Sequence, residues 1–253
     1  VVSPVQQPIP ITTIPRGSVG DIISGIIALG AGTSGTLQPI RATVYTEQTV
    51  GAQRSFTSSS ASDASGGVGA QQVELTYFTS DGRGPFIETV PLNGVTAVPT
   101  VATDICFIEK MTVTRVGATG TNVGTITLFV NNAGGGGTIG TIGVGNIITA
   151  VGDNQTFWAH HYVPTGKICW ISTFTTAIVS GASVAKFLLR AQSILKSGAP
   201  DLYVWDLLQG SPSFVVNLGF PLKVPGFSRL TMYVVPGSAN STQAGSFNIV
   251  DDG

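Results

Sequence analysis

Beyond residue 67, apolar and polar residues alternate in short runs separated by turn-forming residues. Val73, Leu75 and Tyr77 alternate with Glu74 and Thr76 before the Asp81-Gly82 turn. A period of two puts one set of side chains on a core and the other toward solvent, the signature of a half-buried strand. The run 87–92 follows and closes at Asn93-Gly94. Met111, Val113 and Arg115 alternate with threonines. The run 125–130 ends at Asn131-Asn132 and, after Ala133, four glycines. Further runs at 157–163, 168–174, 187–191, 202–208, 214–218 and 229–235 are rich in Val, Ile, Thr, Phe and Tyr, residues that fit a pleated surface. A 3.6-residue period is faint and confined to 184–196. The pattern predicts an all-β protein, an antiparallel jelly-roll-like β-sandwich over residues 68–253. Its predicted core includes Val73, Leu75, Met111, Val113, Ile126, Leu128, Ile168, Leu188, Leu230 and Met232.

Residues 1–67 read differently. Pro4, Pro8, Pro10 and Pro15 space the first stretch, so it is extended and cannot be helical. Residues 58–67 are polar and of low complexity, and such a stretch gains order only by lying on something else. The segment 1–67 therefore reads as an extended N-terminal arm or irregular assembly layer. Its β-prone residues Ile9, Ile11, Ile14, Val19, Ile22 and Ile23 suit the addition of a strand to an exposed sheet edge. The apolar patch 22–29, interrupted by Ser24 and Gly25, is too short to span a bilayer.

Charge changes the picture more than size does. The 253-residue chain carries a formal net charge of −1, and charged residues make up 10% of it, against about 25% in an ordinary soluble domain. Such a balance offers no basic footprint for a phosphate backbone, so no nucleic-acid partner is expected, and no membrane partner either. A surface of hydroxyls, amides and glycines also lacks the repulsion that keeps copies apart, which predicts a homo-oligomer.

Candidate chemistry centres on the stretch DNQTFWAHHYVPTG, which holds both histidines of the chain, His160 and His161. On a strand, Phe157, Ala159, His161 and Val163 share one face, and Trp158, His160 and Tyr162 the other. Adjacent imidazoles then point apart and cannot chelate one ion, which takes i, i+2 spacing on a strand or i, i+4 on a helix. His161 reads as a satisfied core residue. The stripe Trp158, His160 and Tyr162 reads as lying at or near an oligomer interface, because these rings combine wide apolar faces with polar tips. Gly134, Gly135, Gly136 and Gly137 are not followed by the Gly-Lys-Ser/Thr of a phosphate loop and read as a hairpin tip. No Gly-x-Ser-x-Gly elbow occurs. The acids Asp104, Glu109, Asp153, Asp201 and Asp206 read as solvated or paired with Lys and Arg, and Asp251-Asp252 as a solvated tail. Cys106 and Cys169 lie in apolar runs and read as buried free thiols, with a disulfide left open. No catalytic, cofactor-binding or metal-ligating residue is assigned, no cofactor is expected, and the chain reads as not an enzyme. A cleft that brought two carboxylates or a Ser–His pair together would point back to catalysis.

Several segments carry a resemblance. LNG at 92–94, VATDICFIEK at 101–110, NVGTITL at 122–128, GDNQTFWAHHYVP at 152–164 and QRSFTSSSASD at 53–63 resemble structural proteins of tailed bacteriophage virions, over less than half of the chain. The resemblance implies a virion structural protein of the head decoration, head fibre or spike type, with neck and tail parts as the other stations. It implies a homotrimer, because such jelly-roll proteins are often three-fold assemblies. It further implies contact with other virion proteins such as the major capsid protein, and a location in the phage particle after assembly in the host cytoplasm. No family catalytic residues carry over. The competing reading is a carbohydrate- or receptor-binding β module of a phage tail or fibre, which calls for open faces on Trp158, Tyr162, Trp170, Tyr203 or Trp205.

Overall fold

The computed structural model describes residues 21–28, 36–144, 154–180, 185–194, 201–209, 213–238 and 241–252, and the regular elements among them are all β-strands. In chain order they are β1 (Asp21–Ala28), β2 (Gln38–Pro39), β3 (Ser55–Ser58), β4 (Ala70–Phe78), β5 (Phe86–Pro91), β6 (Val98–Pro99), β7 (Phe107–Val116) and β8 (Ile126–Phe129). There follow β9 (Thr138–Ile142), β10 (His160–Val163), β11 (Ile168–Ser180), β12 (Ala185–Ser193), β13 (Asp201–Gln209), β14 (Ser213–Pro225), β15 (Ser228–Pro236) and β16 (Thr242–Asp252). The faint helical period at 184–196 falls on β12, where Phe187, Leu189 and Ala191 alternate inward.

The strands form four antiparallel sheets that close two cores. One pair consists of β1-β16-β11-β14 and β10-β15-β12-β13, with β2 added on β15. Between them lie Ile171, Phe174, Phe187, Leu189, Met232 and Phe247. The other pair is β6-β3-β8-β9 and β5-β4-β7, around Phe56, Val73, Leu75, Met111, Ile126 and Leu128. The fold is thus an all-β sandwich arrangement, as expected, but its core is divided in two. Of the predicted core, Val73, Leu75, Met111, Ile126, Leu128, Leu230 and Met232 are fully enclosed and Leu188 is buried. Val113 and Ile168 are half-buried. Val113 lies toward the exposed end of β7, and Ile168 opens β11.

The boundary expected at residue 67 does not separate two layers. Ile40 and Phe56 are wholly buried in the two cores, and β3 lies between β6 and β8. The polar stretch 58–67 is ordered by Asp63, which is fully buried. Its Oδ1 accepts the N–H groups of Ala70 (2.7 Å) and Val123 (2.9 Å). Its Oδ2 accepts the Ser58 hydroxyl (2.6 Å) and the Gly124 N–H (2.7 Å). Four bonds from neutral donors to one carboxylate fix a loop that has little apolar surface of its own. Ile22 and Ile23 lie in β1, which pairs with β16 of the same chain in register from Asp21↔Ile249 to Ala28↔Thr242. Ile9, Ile11, Ile14 and Val19 lie outside the described residues.

A third, small cluster of Phe78, Cys106, Phe107 and Tyr162 joins the two halves. Backbone bonds also tie the segment before β10 to β7, from Val113 N–H to Asn154 O (2.6 Å) and from Thr156 N–H to Met111 O (2.9 Å). The short strand β10 lies against this junction.

Candidate functional site

Alternation along β10 divides the histidines as expected. His160 shares its side with Trp158 and Tyr162, at ring-centroid distances of 5.5 and 5.4 Å. Tyr45 packs on the same group, 4.8 Å from both His160 and Trp158. The stripe is enclosed within its own chain. Trp158, His160 and Tyr162 are 4%, 1% and 1% exposed, covered by Tyr45, Phe78 and Phe107 of the same chain. Those covering residues come from the other half of the fold, which the local alternation could not reveal. Close approach at Gly140 completes the cover, since a Cβ there would lie 2.5 Å from Trp158 Cη2.

The polar tips inside this stripe are mostly satisfied. His160 Nε2–H donates to the carbonyls of Ile108 (3.0 Å) and Glu109 (3.2 Å). Burial, reinforced by Arg41, pushes its pKa well below the usual range, so the ring is neutral. The hydroxyls of Tyr45 and Tyr162 share a bond of 2.5 Å. Tyr162 also reaches Glu47 (3.4 Å), which pairs with Arg229.

His161 faces the other way, into a group of acids. Its Nδ1–H donates to Glu109 Oε1 at 2.9 Å, while Glu109 Oε2 accepts the Tyr162 N–H at 3.0 Å. Its Nε2 lies 3.4 Å from Asp251 Oδ2, a contact of opposite charges without hydrogen-bond geometry. Asp251 on β16 is the register partner of Cys169 on β11, so their side chains share one face of the sheet. The donor atoms of His161, Cys169 and Asp251 all lie within 4.8 Å of one another. Burial by itself lowers the His161 pKa, but Glu109 and Asp251 outweigh it and bring the ring up to about 10. Burial, with Asp251 beside it, pushes the Cys169 thiol far above its ordinary range.

A cleft of about 360 Å³ opens on this group. The exposed side chains of Ile87, Lys110 and Gln155 line its mouth, and Glu109, His161 and Asp251 lie deeper. Two expectations are corrected here. Asp251 is no solvated tail, because it pairs in register with Cys169 on β11 and its side chain lies against His161. Glu109 pairs with His161 and not with Lys or Arg. Neither has a local sequence signal, since only strand register brings the four residues together. Cys106 and Cys169 are both free and buried, as expected.

The aromatic faces that a sugar-binding module would present are not open at the positions described. Trp158 and Tyr162 are enclosed and Trp170 is 7% exposed. The side chains of Tyr203 and Trp205 lie outside the described residues.

No protein-family model matches the chain, and no curated protein matches it. Among solved structures it is similar to the infectious bursal disease virus VP2 subviral particle, with 8% identity over 92% of this chain and 72% of that chain, at a TM-score of 0.25. It is likewise similar to the structure of the infectious bursal disease virus Gx strain, with 9% identity over 97% of this chain and 74% of that chain, again at 0.25. At that level of superposition the likeness carries no functional inference.

Proposed function

We propose that the chain is a non-enzymatic structural subunit of a tailed-phage virion, of the head decoration or head fibre kind, working as a homo-oligomer, with three copies favoured. The observation that carries this reading is the pair of edges of the β1-β16-β11-β14 sheet. One edge is completed by β1, a segment from the N-terminal stretch, through an eight-residue register. The other is β14, a 13-residue strand that pairs only with β11 among the described residues, with Phe214 and Val215 about half exposed. A long edge with exposed apolar residues is a template for a strand from a neighbour.

Other features agree. The low charge suits a surface meant to be covered, and the segment resemblance points to virion components. The cleft does bring two carboxylates, Glu109 and Asp251, to His161, but both oxygens of Glu109 are engaged, on His161 and on the Tyr162 backbone, and in this reading the group is structural. Among the described residues no helix is long and apolar enough to cross a membrane. In this reading the partners are further copies and other virion proteins such as the major capsid protein, met during assembly in the host cytoplasm.

Light scattering on the purified full chain tests the reading. A discrete oligomer that loses copies when residues 1–28 are removed is expected. A strictly monomeric species at high micromolar concentration overturns it. A truncation at residue 40 is unsuitable, because Ile40 belongs to the core and bonds Met232 and Ala159 through its backbone.

A further inference from the structure

We propose that His161, Cys169 and Asp251 bind one divalent transition-metal ion of the Zn(II) type, with Glu109 as the hydrogen-bonded partner that orients the histidine. This goes beyond the structural role proposed above and does not depend on it.

Distances support the assignment. An ion with Zn–N and Zn–O bonds of about 2.0–2.1 Å in tetrahedral geometry holds N and O about 3.3 Å apart. His161 Nε2 and Asp251 Oδ2 are 3.4 Å apart, too long for a charge-assisted hydrogen bond of about 2.7–2.9 Å. Cys169 Sγ lies within 4.8 Å of both, and a closing of roughly 1 Å brings it to a tetrahedral edge. Two buried polar atoms of this group make no hydrogen bond, His161 Nε2 and Asp251 Oδ1. The His161 side chain is 8% exposed, so this nitrogen meets solvent only by way of the cleft. Buried polar groups of this kind call for a ligand or a partner.

Orientation points the same way. By accepting the Nδ1–H bond, Glu109 Oε1 fixes the ring with Nε2 facing Asp251 and Cys169, and the ion would take the place of the Nε2 proton. Glu109 is itself held by the Tyr162 N–H. A carboxylate–histidine–metal relay is the usual support of a metal-ligating imidazole. One nitrogen, one sulfur and one carboxylate oxygen suit Zn(II) and disfavour Mg(II) and Ca(II), which take oxygen ligands. The cleft supplies an entry path and room for a water as fourth ligand.

The ligands tie distant parts of the fold together. Cys169 and Asp251 come from one sheet of the sandwich, His161 from the facing sheet, and Glu109 from β7 in the other half. The ion would act as a staple that holds the last strand against the junction of the two halves.

Titration of the chelator-stripped full chain with Co(II) tests the proposal. One equivalent per chain is expected to give thiolate-to-cobalt charge-transfer absorption and intense visible bands of a tetrahedral site, both removed by Zn(II). Zn(II) is expected to raise the melting temperature. Cys106→Ser should keep the charge-transfer band and Cys169→Ser should lose it. Glu109→Gln should keep the band with affinity weakened about tenfold or more. No charge-transfer band in the parent protein, or its loss in Cys106→Ser, overturns the proposal whether or not Cys169→Ser folds.

Discussion

Asp63 offers the sharpest quantitative test of the fold. Its carboxylate is completely buried and accepts the N–H groups of Ala70, Val123 and Gly124 and the Ser58 hydroxyl. Asp63→Ala strands three backbone donors at once. Each buried donor left without a partner costs about 1–3 kcal/mol, and such costs are not fully additive. A loss of about 4 kcal/mol is expected, a large part of the roughly 5–15 kcal/mol that holds a typical domain together. Asp63→Asn keeps one carbonyl oxygen for two of the donors. Its amide can donate to Ser58 Oγ but cannot accept the Gly124 N–H, so about 2 kcal/mol is expected. Urea unfolding followed by far-ultraviolet circular dichroism gives both values at a common slope. In thermal melts, a chain of this size loses about 2–4 °C per kcal/mol, so Asp63→Ala should melt roughly 8–16 °C lower. Asp63→Ala within about 1 kcal/mol of the parent, or Asp63→Asn as damaging as Asp63→Ala, would refute the assignment of loop order to this carboxylate.

Two further outcomes follow from buried groups. The Arg54 side chain, whose residue is 2% exposed, donates to the carbonyls of Ile105 (2.8 and 3.0 Å), Val130 (2.5 Å) and Val50 (2.6 Å). Arg54→Lys cannot span all three carbonyls and should cost about 2–4 kcal/mol in the same urea assay, with a change below about 1 kcal/mol contradicting the role. Cys106 is held up to about 11, chiefly by burial. Only about a thousandth of it is thiolate at pH 8, so alkylation of the native protein should be slow and should speed up as pH approaches 11 or as urea unfolds the chain. Rapid stoichiometric labelling of Cys106 at pH 8 without denaturant would contradict its burial.

The strands legible in the sequence are those whose pattern is local. In β4, β7, β8 and β15 the apolar residues alternate, and Val73, Leu75, Met111, Ile126, Leu128, Leu230 and Met232 lie in the cores as the pattern requires. β3, β9 and β16 are among the strands that escaped it. In β3, Phe56 is the one large apolar side chain in a serine-rich stretch. Gly140 interrupts β9. In β16 the sequence TQAGSFNIVDD is largely polar, yet it is sandwiched between β1 and β11, and buried Gln243 donates to Ser241 Oγ. Alternation also cannot say which sheet a strand joins. The two cores therefore read as one, and residues 36–67 read as an arm although Ile40 and Phe56 fill core positions.

The polar site was half legible for the same reason. Face alternation correctly separated His160 from His161, because that rule needs only neighbouring residues. It could not find Glu109, Cys169 or Asp251, which come from β7, β11 and β16 and meet only through register. Their placement says something about the design of the molecule. Charged residues are only 10% of the chain, and two carboxylates are nevertheless set around one imidazole where three elements converge. Apolar residues of similar volume commonly stabilise such a position as well or better. What the polar set adds is specificity: Asp251 matches Cys169 only in the observed β11–β16 register, and a slip of one residue would turn it to the opposite face. The group therefore selects the position of the last strand, and an ion bound between His161, Cys169 and Asp251 would lock that selection across both sheets.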